Sequence, residues 1–534
     1  MNESKAMLGG LSALLVALAV ATGIFLYRAP NTAEVTTAKS LVPSRSSVPP
    51  PQQPAQSKGV SPKPAIKLGL SIDDPRAYQG YTLIASMASP RTYLIDMKGR
   101  VVHRWDGDRP PALSAYLLES GTLLRPGALT GAAHPLNGSG AGGRIQEFGW
   151  DGRPVWDYPL ADDNRLPHHD VVRVPNGNVL VIAWDRIARD EAAAAGRVEL
   201  SGQGDFLPDT VLEIKPTGPT SGQVVWQWRV WDHLIQDRDP AKPNFGDIAK
   251  HPERIDVNFG ESPMPTMTAQ RDGVAKLRSL GYVGANTGKK APRLNADWTH
   301  VNAVDYNSAL DQIMLTVHGF SEIWVIDHST TTAEAAGRSG GRAGKGGDLL
   351  FRWGNPRAHR AGRLEDQRLY FPHSAHWIAR GLPGEGHVLV FNNGARRPGG
   401  PFSSVDEVVF PAVAPGTDQP ARTVPELAWR YTAPRSTEFY SMLLSGAQRL
   451  PNGNTLICSG MSGTVFEVTP NNELVWQYTC PVPGGASGSP GFGPSGGSAL
   501  FRAYRYGPDF PGLAGKELKP GPTIEEQEQK TAGR

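Results

Sequence analysis

What this sequence has little of narrows its function first. Of 534 residues only two are cysteine, Cys458 and Cys480, too few thiols to argue a zinc site and enough for one bridge at most. The formal net charge is only +3, and no Lys/Arg block is dense enough to mark a nucleic-acid surface. No G-x-x-x-x-G-K-[ST] phrase occurs, so the glycine-rich run 484–498 (GGASGSPGFGPSGGS) reads as a loop and not as a phosphate cradle. Long helical patterns are scarce. The 61 glycines and 47 prolines, about a fifth of the chain against the usual ~12%, cut it into turns.

One long apolar run is present, from Met7 to Tyr27, between Lys5 and Arg28. As a helix it is long enough to cross a hydrocarbon core of ~30 Å. Neither an A-x-A site nor a lipobox cysteine follows, so it reads as an uncleaved signal anchor, with a cleaved signal peptide as its rival. The organisation expected is then an anchor or signal peptide at 1–28 and a Pro/Ser/Lys-rich linker at 29–75 that cannot bury a core. A strand-rich body follows at 76–510, interrupted by an insertion at about 236–296 that holds a short helix-like stretch. A solvent-exposed tail closes the chain at 511–534.

From about Tyr81 one phrase recurs: a β-like segment, a P-x-G turn and a second β segment ending in tryptophan. Examples are TYLIDMKGRVVHRW, GGRIQEFGWDGRPVWDYPL, HHDVVRVPNGNVLVIAWDR and GTVFEVTPNNELVWQY, and PNGN occurs at both 175–178 and 451–454. Six such units of about four short strands predict an all-β fold, a six-bladed β-propeller with the N-terminal transmembrane helix and long loop insertions added to it. A single blade cannot bury its two faces alone, whereas stacked neighbours complete the core. A β-sandwich is the rival architecture, but it has no need of the recurring sub-motif.

Superposing the repeats sets His169, His300 and His373 at about the same place, near the start of a strand; Ser114 or a neighbour and Ser445 correspond in other units. Innermost strands begin at one mouth of a propeller's channel, so three imidazoles would meet there, joined by Asn302, His168 and His376. Three readings compete: structural histidines bonded to turn carbonyls, a His₃ metal site, and nucleophilic or acid–base chemistry by neutral imidazole. Asp170 and Asp297 are candidate orienters, and Trp298 and Trp377 candidate aromatic walls. Cys458 and Cys480 flank a strand-turn-strand stretch where a disulfide is one option and two reduced thiols the other.

The phrases HHDVVRVPNGNVLVIAWD, DWTHVNAVDYNSALDQIMLTV, LYFPHSAHWI and LPNGNTLICSG resemble the bacterial arylsulfotransferases, PAPS-independent periplasmic enzymes built as six-bladed propellers, over roughly residues 80–510. The resemblance implies transfer of a sulfuryl group from an aryl sulfate to a phenol through a sulfo-histidine, with no cofactor. It implies His373 as the nucleophile, His300 and Asn302 as ligands of sulfuryl oxygens, and His169, less certainly His168, as a further contact. His318 stands where the family carries an arginine. That exchange replaces a permanent planar cation by a group charged only below about pH 6.5. The partners expected are an aryl sulfate donor, a phenolic acceptor and, through the first helix, the inner membrane, with the body on its periplasmic side or secreted there after cleavage. A homodimer is left open. Rival functions are a membrane-anchored, non-catalytic binding propeller and a metal- or quinone-dependent dehydrogenase.

Overall fold

Val179–Ala183 (VLVIA) buries every one of its five side chains. Val179, Val181 and Ala183 pack with the second blade, while Leu180 and Ile182 pack with the fourth. A strand sends successive side chains to opposite faces, so an unbroken apolar run belongs to a sheet covered on both sides. Radially stacked sheets supply that cover. The computed structural model describes residues 67–129, 134, 136, 140–198, 205–260, 296–410, 424–482 and 498–532, which belong to one compact unit, Pro64–Arg534.

Six antiparallel sheets arranged as propeller blades form among the described residues, in addition to a short two-stranded parallel pair. Blade 2 comprises Tyr116–Leu117, Leu123–Ala128, Gly142–Phe148 and Pro154–Pro159, counted from the channel outwards. Blade 3 is Arg165–Arg173, Val179–Asp185, Asp209–Gly218 and Ser221–Arg229, and blade 4 is Val301–Asn307, Gln312–Val317, Glu322–Asp327 and Phe351–Trp353. Blade 5 is His373–Trp377, Val388–Asn392, Ser404–Val409 and Glu426–Tyr431. Blade 6 is Gly446–Arg449, Thr455–Ser459, Thr464–Val468 and Leu474–Thr479, with Gly69–Asp73 added outside it. Blade 1 is composite. Tyr81–Ser86, Arg91–Ile95 and Val101–Asp106 receive their innermost strand, Leu500–Tyr506, from the far end of the chain. Closure by a late strand removes the open edge that blade 1 would otherwise present.

The recurrent tryptophan is an inter-blade peg. Trp105, Trp156, Trp226, Trp429 and Trp476 each donate their indole N–H to the segment between the third and fourth strands of the next blade. Their acceptors are Gly149 O, Ser221 O, Thr330 Oγ1, Pro470 O and Met97 O, at 3.0–3.2 Å. Trp353 instead packs edge-on against Phe410 of blade 5. At Trp105, Trp156, Trp226 and Trp476 a large buried ring with its N–H satisfied carries much of the junction, and truncation to Ala would cost on the order of 3–5 kcal/mol. A second staple repeats nearer the channel, where Glu147, Glu407 and Glu467 pair with Arg173, Arg449 and Arg505 of the following inner strand. At the junction of blades 3 and 4, Glu213 meets His328 instead, at 2.9 Å.

The structure corrects several expectations. The membrane-spanning helix expected at Met7–Tyr27 is not found: among the described residues no helix is long and apolar enough to cross a membrane. The longest described helix, Ile524–Ala532, has nine residues; at 1.5 Å per residue it reaches about 14 Å, under half of a ~30 Å core. Residues 7–27 themselves lie outside the described residues. The membrane partnership and inner-membrane anchoring expected from that helix have no spanning helix among the described residues to rest on.

Gly69–Asp73 lies within the stretch expected as linker yet pairs with Leu474–Thr479, giving its backbone groups partners on the blade edge. The tail is not wholly exposed, since Ile524 is buried between blades 1 and 6. Cys458 and Cys480 are buried free thiols. Cys458 lies on the second strand opposite Val465, and Cys480 follows the fourth. Two strand spacings, ~9.5 Å, exceed the ~7 Å limit for a bridge. Burial pushes the Cys480 thiol up to about 12. Of the expected insertion, residues 236–260 are described. There Ile255–Asp256 pairs in parallel with Leu234–Ile235, and residues 261–295 lie outside the described part.

Candidate active site

Five of the six inner strands, all but Leu500–Tyr506 of blade 1, contain or closely follow a left-handed residue that turns the chain into the channel. His169 (φ 56°), His300 (φ 49°), Ser374 (φ 56°), Ser445 (φ 90°) and Leu113 (φ 95°) occupy this position in blades 3, 4, 5, 6 and 2. A non-glycine residue there costs roughly 1–2 kcal/mol and is held only by surrounding structure. In blade 5 the left-handed residue is Ser374, so His373 sits one position ahead of the phase that the repeats predict. Its imidazole still reaches the hub.

Four imidazoles make a continuous arc. Ring centroids lie 4.8 Å apart for His169–His300, 4.9 Å for His300–His318 and 4.9 Å for His318–His373. Phe501 of the closing strand completes the circle, 6.0 Å from His169 and 6.2 Å from His373. His169, His318, His373 and Asn302 are buried, while the His300 side chain keeps 13% of its surface exposed and so marks the open side of the arc.

Hydrogen bonding fixes which nitrogen of each ring faces inwards. Asn393 spends its amide N–H groups on Ser441 O (2.7 Å) and Leu444 O (3.0 Å). Its Oδ1 therefore accepts from His373 Nδ1 at 2.8 Å, which leaves Nε2 of His373 as the lone-pair nitrogen, contacted by Leu444 N–H at 3.2 Å. His168 Nε2 lies 2.7 Å from Asp209 Oδ1, and His168 Nδ1 lies 2.8 Å from His169 Nδ1. The His168–Asp209 approach lacks hydrogen-bond geometry, one of the two Nδ1 atoms donates to the other, and His169 Nε2 faces the site without a partner. His318 turns Nδ1 to Pro372 O at 3.4 Å, so the N–H that could have stood in for an arginine is directed at the backbone.

His300 differs from its neighbours. Its Nδ1 donates to Asp297 Oδ2 at 2.6 Å, and Trp184 Nε1 holds the other carboxylate oxygen at 2.9 Å. Burial opposes a charge on His300, but Asp297 outweighs it and raises the group above the ordinary imidazole range. Burial and the neighbouring imidazoles push His169 and His318 well below that range. Burial, against the Asn393 bond, pulls His373 down to about 3. The surroundings therefore disfavour charge on three imidazoles of the arc and favour it on His300. Three buried polar atoms in it have no partner: His169 Nε2, His300 Nε2 and Asn302 Oδ1. Asn302 donates one amide N–H to Pro372 O (2.9 Å) and leaves Oδ1 as an acceptor without a partner. Among the described residues no group of three or more His, Cys, Asp or Glu is arranged to hold a metal ion.

An apolar wall adjoins His373 and His169. Leu113, Leu443, Leu444, Ala499 and Phe501 are buried together, with Met87, Met442 and Met461 packed at half-exposed positions. The tryptophans expected as walls lie elsewhere. Trp298 stacks on Phe206 (5.2 Å) in the core of blades 3 and 4, and Trp377 packs between blades 4 and 5. His376 lies two strand residues beyond Ser374, lining a separate cavity of about 1370 Å³ with Asp305, Tyr116 and Tyr504. His168 backs His169, stacked on Trp184 at 4.1 Å. Asp170, weighed as an orienter, binds Arg502 instead.

Asn393 was not foreseen. It follows the second strand of blade 5 and carries no repeat signal; the NNG turn at 392–394 was the only local hint.

Comparison with known proteins agrees with the repeats. No curated protein matches the chain. Among solved structures, a protein of unknown function from Bacteroides caccae is 11% identical, covering 80% of this chain and 98% of that one at a TM-score of 0.40. A virginiamycin B lyase from Staphylococcus aureus is 9% identical, covering 77% and 89% at a TM-score of 0.33. Likenesses this low bear on neither fold nor function. The arylsulfotransferase (ASST) family model matches residues 71–478, a span that includes every histidine of the arc, and the chain belongs to that family of sulfotransferases.

Proposed function

We propose that the protein moves a sulfuryl group from an aryl sulfate ester to a phenolic acceptor in two steps, with His373 as the intermediate carrier. The observation that carries this reading is the protonation pattern of the arc. His373 directs an unprotonated Nε2 inwards, fixed by Asn393 and neutral at any physiological pH. His300, one ring further along the arc past His318, has the raised pKa that favours a proton on its unpartnered Nε2. A free nucleophile and a charged acid in one arc are the groups that ester cleavage requires.

In the first step the Nε2 lone pair of His373 forms an N–S bond as the S–O(aryl) bond breaks, and the departing aryl oxide takes the Nε2 proton of His300. The cation of His300 also offsets the negative charge on the sulfuryl oxygens. In the second step His300, now neutral, accepts the proton of the phenol. Asn302 Oδ1, an acceptor, orients that hydroxyl. The phenol oxygen bonds to sulfur, and the N–S bond returns its electron pair to His373. The aryl rings of donor and acceptor lie against the wall of Leu113, Leu444 and Phe501, the role first assigned to Trp298 and Trp377. Release of 4-nitrophenol from 4-nitrophenyl sulfate in the presence of phenol tests the reading, and His373→Asn should abolish it. Full turnover by that variant would exclude the carrier assigned.

One observation favours a second reading, a non-catalytic binding propeller of the same family. His373 Nε2 already accepts Leu444 N–H and is closed to solvent, and the permanent cation expected at position 318 is absent. On that reading the chain binds aryl sulfates, measurable by calorimetry, without releasing phenol.

A further inference from the structure

Arg502 lies on the closing strand, 8% exposed, beneath the histidine arc and at the edge of the second cavity. Its guanidinium donates to Tyr116 Oη of blade 2 (2.9 Å), to Asp170 Oδ2 of blade 3 (2.7 Å) and to the main-chain oxygen of Asn302 in blade 4 (2.9 Å). Asp170 passes the connection on. Its Oδ1 accepts Tyr116 O–H at 2.6 Å and its Oδ2 accepts Val304 N–H at 3.2 Å. The guanidinium carbon sits 4.5 Å from the ring of Phe501, which itself lies between His169 and His373. One side chain from blade 1 thus ties together three other blades directly behind the residues that face the substrate. Asp170 is the residue after His169, and Asn302 is two after His300. Asp170 is likewise bonded to blades 1, 2 and 4, so the Arg502–Asp170 pair joins four blades at this point.

We propose that Arg502 is a positioning residue of this site: by clamping Asp170 and the main chain of Asn302 it sets His169, His300 and Asn302 against His373, so that the site forms only when the C-terminal strand completes blade 1. Its planar fork matters because a single donor cannot reach a carboxylate, a phenol and a carbonyl at once. A lysine would keep the charge opposite Asp170 but lose the second and third contacts. Its positive charge also helps to hold His373 neutral, after burial and the His300 charge.

The inference rests on the sulfotransferase reading for its kinetic arm and stands apart from it in its spectroscopic arm. Arg502→Lys should fold, because the buried carboxylate keeps a counter-charge. Its kcat with 4-nitrophenyl sulfate and phenol should fall between ~10- and ~100-fold, as for small misplacements of reacting groups, with KM changed less than threefold. In chain labelled with ¹³C at the histidine ring carbons, the imidazole signals of His169 and His300 should shift in Arg502→Lys. The neutral pair Asp170→Asn with Arg502→Met, which leaves no lone buried charge, should show the same kcat loss. Wild-type kcat per folded molecule together with unmoved imidazole signals would overturn the inference. If the wild-type chain releases no phenol, the sulfotransferase reading fails and the imidazole signals alone decide: shifted signals support the clamp, unmoved ones overturn it.

Discussion

Asn393 Oδ1 accepts the Nδ1 proton of His373 at 2.8 Å, while both of its own N–H groups are committed to the carbonyls of Ser441 and Leu444. The amide cannot flip without losing three bonds, so it acts as a fixed template for one tautomer of the ring. Asn393→Ala should lower kcat about 10- to 100-fold, with little change in KM, because the nucleophilic nitrogen loses its orientation. It should also destabilise the fold by about 1–3 kcal/mol, since the Leu444 carbonyl loses its amide donor and Ser441 O keeps only the long bond from Ser403 Oγ (3.4 Å). Steady-state kinetics beside a urea melt separates the two effects, and unchanged kcat would remove Asn393 from the site.

Asp297 keeps His300 protonated above the usual imidazole range. Asp297→Asn keeps a hydrogen-bond acceptor but removes the charge, so the folded pKa of His300 must fall. The basic limb of the kcat/KM profile, where His300 loses the proton it gives to the leaving group, should move to lower pH. Profiles of the wild type and the variant from pH 5 to 9 check this; superimposable basic limbs would show that His300 is not the acid.

His376 serves as the control. It lines the other cavity with Asp305 and Arg502, its ring bonds only the main-chain oxygen of Ser374 (3.0 Å), and it makes none of the arc's ring contacts. Distant sites couple by only ~0.3–0.5 kcal/mol, so His376→Gln should keep kcat/KM within about twofold. A tenfold loss would mean that the two regions act as one site.

His328 joins blades 3 and 4 where other junctions carry arginine. Nδ1 meets Asp311 Oδ1 at 2.8 Å and Nε2 meets Glu213 Oε2 at 2.9 Å, with Tyr306 O–H on Asp311 (2.8 Å), Arg342 3.7 Å from its other oxygen, and Asn176 and Asn178 on Glu213. Burial opposes the charge on His328, but the two carboxylates raise it. Burial likewise works against ionised Glu213, yet His328 and the asparagines bring it down to about 2. The stabilisation from His328 is complete below its unfolded pKa of ~6.5 and is lost as pH rises through the raised value. That from Glu213 is present above ~4.3 and is lost as pH falls towards its folded value. The clasp is therefore strongest between about pH 4.3 and 6.5. Wild-type Tm should drop between pH 6 and 9 by on the order of 2 °C more than that of His328→Gln. Equal drops would show that His328 carries no part of the junction's pH dependence.

Much of this architecture was legible in the chain itself. The strand-end tryptophans and P-x-G turns announce six blades because each blade solves the same burial problem with the same pieces. Repeat phase also brought His169 and His300 to the hub. It slipped by one at His373, since a left-handed residue at Ser374 leaves no mark in composition. Asn393, Arg502 and the wall of Leu113 and Leu444 were not legible. Their roles arise from loops and a closing strand that meet only in three dimensions. Trp298 and Trp377 misled for a related reason: tryptophan near a strand start signals packing at least as readily as a binding wall, and here both rings fill inter-blade cores.

The central claim is that His373 carries the sulfuryl group. Brief incubation with 4-nitrophenyl sulfate and no acceptor, followed by rapid digestion at alkaline pH and mass spectrometry, tests it directly. One sulfuryl increment should appear on the peptide containing His373, disappear when phenol is added before quenching, and be absent in His373→Asn. Turnover of the ester with no histidine adduct at any time, or an adduct on His300 or His169 instead, would contradict it.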